Sequence, residues 1–173
     1  MASAIACPPP KDSTVRRVYH FTTAEHGLNN VSLSRLKIAR ISDANDPFEF
    51  MAVSYRKKGD RAIAERYKHE ANLTTGFLSF SKDWAEPLLW SHYSDRHRGM
   101  CLGFDVPRTD VECVKYVSPR ALIALNDPDK SALPADVVDL ARQKYEGWTY
   151  EGEVRRYVEL GRASCRERVL CVV

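Results

Sequence analysis

The chain has 173 residues, 44% hydrophobic and 28% charged, with a formal net charge of +3. This is the composition of one globular domain with its own core. No apolar run approaches the roughly 20 residues that cross a bilayer, and the start "MASAIACPPPKDS" lacks the basic n-region of a signal peptide. The expected setting is therefore the cytoplasm, with no membrane contact and the five cysteines reduced.

The chain order begins with a flexible leader over 1–14, marked by Pro8, Pro9 and Pro10. "VRRVYHFT", 15–22, reads as a strand with Val15, Tyr19 and Phe21 on one face and His20 and Thr22 on the other. His20 thus projects away from the more apolar side; alone, its default reading is a satisfied structural histidine. A short helix over 23–30 and a strand over 35–41 follow. In "NDPFE", Asp46 can cap a helix, Pro47 suits its first position and Glu49 can reach back to the cap, with Asn45 in the turn before. That helix is expected to end at Gly59, and a second helix to span 60–73. "GFLSFS", 76–81, reads as a strand with Ser79 and Ser81 opposite Leu78 and Phe80.

In "PLLWSHYSDRHRGMCLGFD", Leu89, Trp90 and Tyr93 recur at helical spacing, Asp95 and Arg98 can pair, and Gly99 supplies a left-handed stop. Met100, Leu102 and Phe104 then alternate as in a strand. His92 and His97, five apart, point to different sides of a helix, and no CxxC or HxxxH accompanies them; no metal is expected. A strand over 111–117, a proline-rich loop over 118–134 and an amphipathic helix over 135–147 come next. "WTYEGEVRRYVEL", 148–160, reads as the last strand, with Thr149, Glu151, Glu153 and Arg155 sharing one face. Two carboxylates and an arginine at this spacing favour an exposed ion-pair ladder; in a cleft the same set could stabilise a developing cation.

The final thirteen residues, "GRASCRERVLCVV", have no amphipathic period, and "GRASCRERV" resembles the translation of a sequencing-adapter readthrough. The expectation is that the natural chain breaks off near Leu160 and that 161–173 is a non-native tail. That tail carries +2 of the net charge of +3, which leaves the body at +1, so basicity points to no nucleic-acid partner. The expected architecture is one α+β domain over 15–160, a split and mainly antiparallel sheet with flanking helices. Walker-type and GxGxxG signatures are missing from the sequence.

Taken together, "YHFT", "NDPFE", "SFS", "LWSHYSDRHRGMCLGFD", "VKY" and "WTYEGEVR" resemble the ordered motifs of a bacterial family filed as domain of unknown function two-nine-seven-one, over about 19–157. Val154 departs from that pattern, which has tryptophan there. The family in turn resembles the ADP-ribosyltransferase-like group, which includes toxins that modify DNA and RNA, and it suggests a toxin or phage-defence setting. The resemblance implies NAD as co-substrate and an unidentified macromolecular acceptor, nucleic acid or protein. It implies catalytic roles for Glu153 and Glu151, and NAD binding by His20, Tyr93, Ser81 and Thr22. Asn45, Asp46, Trp90, His92 and Arg155 would support the site. Tyr93 also has a plainer reading, as a core aromatic in a helical stripe. Two other functions compete: a non-catalytic nucleotide-binding or protein-interaction module, and, ranked below it, a nuclease, for which no clustered metal carboxylates are evident.

Overall fold

The computed structural model describes residues 10–43, 53–55, 58–117, 121–123, 142–160 and 166–167. The first elements are β1 (Val15–Thr22), α1 (Ala24–Ser32), β2 (Leu36–Lys37), β3 (Ala39–Arg40) and a 3-10 turn at Ile41–Asp43. Next come β4 (Val53–Tyr55), α2 (Lys58–Thr74), β5 (Thr75–Ser81), α3 (Pro87–Tyr93) and β6 (Met100–Pro107). A 3-10 turn at Arg108–Asp110 leads into β7 (Glu112–Cys113), β8 (Lys115–Val117) and β9 (Ala121–Ile123). The chain closes with β10 (Gln143–Tyr145), a 3-10 segment at Glu146–Glu151, β11 (Glu153–Glu159) and β12 (Arg166–Glu167).

The main sheet runs β6-β1-β5-β11-β7, all antiparallel, with β3 also on β5. This is a mixed α+β architecture built on an antiparallel sheet, as the order of predicted elements implied. Smaller pairs are β8 with β10 and β4 with β9, both parallel, and β2 with β12, antiparallel. β12 lies in the segment set aside as a tail. No helix among the described residues is long and apolar enough to cross a membrane.

β1 and β6 pair along their whole length, but β1 and β5 share one register position, Tyr19 with Ser81. The two strands part beyond it. Successive residues of a strand face opposite sides, and residues directly paired share a side. One side therefore carries Val18, Leu78, Phe80, Leu102, Phe104 and Val154, which form the main core with Leu36, Ile38, Val106 and Val111. The other side carries Tyr19, Phe21, Phe77, Ser79, Ser81, Glu153 and Arg155. α3 packs there: the Phe21 and Trp90 rings meet edge to face, 5.4 Å between centroids.

Several expectations are corrected. Within the helix expected from Asp46 to Gly59, residues 53–55 form β4, and Gly59 lies in the first turn of α2. The strands over 35–41 and 111–117 are each broken in two, at Ile38 and Val114; both side chains turn into the core. Residues 121–123, inside the expected loop, form β9. Gly99 does not supply the left-handed turn after α3; Asp95, Arg96 and His97 do, with φ of 45°, 54° and 66°. A side chain at Gly99 would put its Cβ 2.2 Å from the Thr22 carbonyl oxygen, so close backbone approach explains that glycine. The expected ion pair of Asp95 and Arg98 is present, at 3.0 Å. Residues 143–145 are a strand, not helix: pairing with β8 overrides the amphipathic period there. The last strand begins at Glu153, and 146–151 coil as a 3-10 segment. The leader to residue 9, "NDPFE" with Asn45 and Asp46, and 135–141 lie outside the described residues.

A candidate site between the main sheet and the third helix

A cavity of about 190 Å³ opens on the side of the sheet away from the main core, where β1 and β5 separate. His20, Ser79, Ser81, Tyr93, Lys144, Glu151, Glu153 and Arg155 contribute its polar groups, and Leu89, Phe77 and Phe80 part of its apolar wall. Leu89 and Tyr93 stand one helical turn apart on α3, which makes that helix the cavity wall.

The exposed-ladder expectation for the last strand is overturned. Glu153 is 4% exposed and Arg155 1%, so charged residues fill one face of β11 in the interior while Val154 fills the other. Burying ions is costly unless each is paired and hydrogen-bonded, and here they are. Arg155 donates from Nε to Glu153 Oε1 at 2.7 Å and from Nη2 to Oε2 at 3.0 Å, a two-pronged contact. Ser79 Oγ donates to Glu153 Oε1 at 2.6 Å. Lys144 Nζ donates to Glu153 Oε2 at 3.2 Å and to Glu151 Oε2 at 2.5 Å. The Tyr93 hydroxyl donates to Glu151 Oε1 at 2.6 Å. Two carboxylates thus face two cations. Burial raises the Glu153 pKa, and Lys144 and Ser79 oppose that rise. Burial also acts to lower the Lys144 pKa, but the two carboxylates outweigh it and hold the ammonium above its usual range.

The turn into β11 sets this geometry. Gly152 adopts φ +50°, between the 3-10 segment and the strand, so both carboxylates reach one ammonium. The Glu153 N–H donates to the Tyr116 hydroxyl at 2.8 Å, and burial pushes that phenol up to about 12. A Cβ on Gly152 would meet its nearest atoms at 3.8 Å, so Gly152→Ala carries only the left-handed dihedral cost. The expected loss is about 1–2 kcal/mol, or roughly 2–8 °C in a thermal melt.

His20 does not point away from the apolar side as its alternation suggested. It shares a face with fully buried Val18 and stands edge-on to Phe80, 6.1 Å between centroids. Its Nδ1 lies 3.1 Å from the Ser79 carbonyl, so Nδ1–H donates and Nε2 is the acceptor of the neutral ring. Burial holds its pKa below the usual 6.5. The imidazole thus substitutes for a ladder contact where the strands part, and Ser79 links it to Glu153: carbonyl to one, hydroxyl to the other. His20 and Glu153 occupy opposite faces of the sheet and reach one cavity only because of that gap.

A histidine with a lowered folded pKa contributes stability that is complete above the unfolded value and lost as pH falls through the folded one. Between about pH 7.5 and 5.5, the urea midpoint of the wild type should therefore fall more steeply than that of His20→Gln. Equal slopes would show that the imidazole does not stay neutral there.

The other sequence candidates are distributed as follows. The Ser81 hydroxyl lines the cavity but is engaged, donating to the Glu151 carbonyl at 2.7 Å and accepting from the Asp83 N–H at 3.1 Å. Thr22 is buried and is not among the lining residues. Trp90 backs the wall, its Nε1 donating to the Trp84 carbonyl at 2.6 Å. His92 is exposed, beside Tyr93 and Tyr150. Two residues were missed. Ser79 was recognisable from its parity with Ser81 on β5, whereas nothing local marked Lys144, which fell within the helix expected over 135–147. Among the described residues, no group of three His, Cys, Asp or Glu side chains is placed to hold a metal ion. No family model, curated protein or solved structure matches this chain.

Proposed function

We propose that the cavity binds the nicotinamide riboside end of NAD and that the protein transfers ADP-ribose to a macromolecule, on an ADP-ribosyltransferase-like fold. The observation that carries this reading is that His20 from β1 and Glu153 from β11 line one cavity with Tyr93 and Glu151. The motif resemblance set out above supports it. The donor set fits that end of the ligand. His20 Nε2 and the carboxylates accept from ribose hydroxyls, and Tyr93, Leu89 and Phe77 offer apolar and aromatic contact to a flat ring. In this reading Glu153 accepts a hydrogen bond from a ribose hydroxyl and offsets the positive charge that grows at the anomeric carbon. The glycosidic C–N bond breaks with its electron pair passing to nicotinamide. A nucleophile on the acceptor then bonds to that carbon and loses its proton.

A specific observation favours a second reading, a non-catalytic nucleotide-binding or protein-interaction module. Both oxygens of Glu153 are already engaged by Ser79, Lys144 and Arg155, and the adjacent cations oppose a developing positive charge. Nicotinamide release from NAD, measured for the wild type and Glu153→Gln, separates the two. Turnover by the wild type alone supports the transferase; equal, negligible turnover by two folded proteins supports the module.

A further inference from the structure

Outside the cavity, three aromatic rings continue from its wall. The His92 ring lies 6.3 Å from Tyr93 and 6.4 Å from Tyr150, and Tyr150 lies 6.0 Å from Trp148. The row returns to the cavity through Lys144, whose ammonium sits 5.0 Å from the Trp148 ring centroid. Tyr93 and Lys144 thus belong both to the cavity lining and to the two ends of this row. The rings of His92 and Tyr150, and of Tyr150 and Trp148, are inclined by only 36° and 40°. Unlike the core rings of Phe77, Phe80 and Phe104, which are buried, His92 is exposed and Trp148 and Tyr150 are partly so.

Volume gives this row a purpose. The cavity holds about 190 Å³, below the roughly 300–1,000 Å³ of typical ligand pockets. A cavity of that volume does not enclose a whole dinucleotide, so part of such a ligand stays at the rim. A planar base held at the rim needs a partly exposed aromatic face, because stacking on such faces is favourable and makes few demands on base identity.

Resting on the NAD reading above, we infer that Trp148, Tyr150 and His92 form a stacking surface for the purine of the dinucleotide whose nicotinamide riboside end enters the cavity. The row is a specificity element: it selects dinucleotides over mononucleotides carrying the same nicotinamide.

The test compares binding of NAD and nicotinamide mononucleotide, each as the carbocyclic analogue in which a methylene replaces the ribose ring oxygen, so that the glycosidic bond stays intact. Trp148→Ala and Tyr150→Ala should each weaken the dinucleotide analogue by roughly 5–100-fold. Affinity for the mononucleotide analogue should be unchanged, and Trp148→Phe, which keeps an aromatic face beside Lys144, should recover most of the loss. Equal loss for both analogues would assign these rings a structural role and overturn the inference. Mononucleotide binding by the wild type with no effect of the variants on the dinucleotide would overturn it alone. Failure of the wild type to bind either analogue would overturn it together with the NAD reading. Loss of single-stranded oligonucleotide binding, with the dinucleotide unaffected, would assign the surface to an acceptor base instead and overturn the inference.

Discussion

Glu153→Gln is expected to lower nicotinamide release by about 10²–10³-fold while leaving NAD affinity nearly intact, because its charge acts only as the cation develops. The same change should also destabilise the fold. Arg155 is almost fully buried and makes two hydrogen bonds to this carboxylate, so a neutral amide leaves a guanidinium without its counter-charge. Removing one partner of such a pair costs about 3–5 kcal/mol, or roughly 6–20 °C in melting temperature for a chain of this size. Lost activity could then simply report lost protein. The double variant Glu153→Gln with Arg155→Met separates the two effects, since replacing both members of a buried pair is close to neutral. It should regain most of the melting temperature and none of the turnover. Recovery of both would remove Glu153 from the chemistry.

Lys144→Met should be comparably severe, and its severity should depend on pH. Met keeps the apolar stem and removes the ammonium that Glu151 and Glu153 share, leaving two neighbouring buried carboxylates with Arg155 as cation. Like charges in a dry site push carboxylate pKa values up. A carboxylate whose folded pKa is raised above the ordinary 4.5 contributes stability that is present below that value and lost as pH rises through the folded one. The unfolding free energy of the variant, from urea titration, should therefore lie close to that of the wild type near pH 5 and about 3–5 kcal/mol below it near pH 8. A deficit that is the same at both pH values would mean that Lys144 acts by packing alone.

The parts of the fold legible in the sequence were those where one period dominates. β5 and β6 alternate cleanly, and their inward residues Leu78, Phe80, Leu102 and Phe104 form the core; β1 was legible as a strand, but its main-core face is that of Val18 and His20, not that of Tyr19 and Phe21. The α+β arrangement followed from the order of such segments. Glu153 and Arg155 were legible as residues sharing a face, but not as buried ones: spacing is the same for a solvated ladder and an internal ion cluster. What decides between them is the cover supplied by α3, β10 and the 3-10 segment, which no local pattern encodes. Lys144 is the clearest case. Its neighbours carry a helical period, yet parallel pairing with β8 and attraction to two carboxylates set its conformation. His20 was singled out for the wrong orientation. It matters to the cavity because β1 and β5 share a single register position, a property of the sheet and not of either strand.

Amide hydrogen exchange with and without saturating NAD tests the central claim, that the ligand enters the cavity lined by His20 of β1 and Glu153 of β11, most directly. Exchange should slow in the segments carrying His20, Ser79–Ser81, Tyr93 and Lys144–Arg155, and stay unchanged along α1 on the opposite side of the sheet. Unaltered exchange at all four lining segments, or protection confined to residues elsewhere, would contradict it.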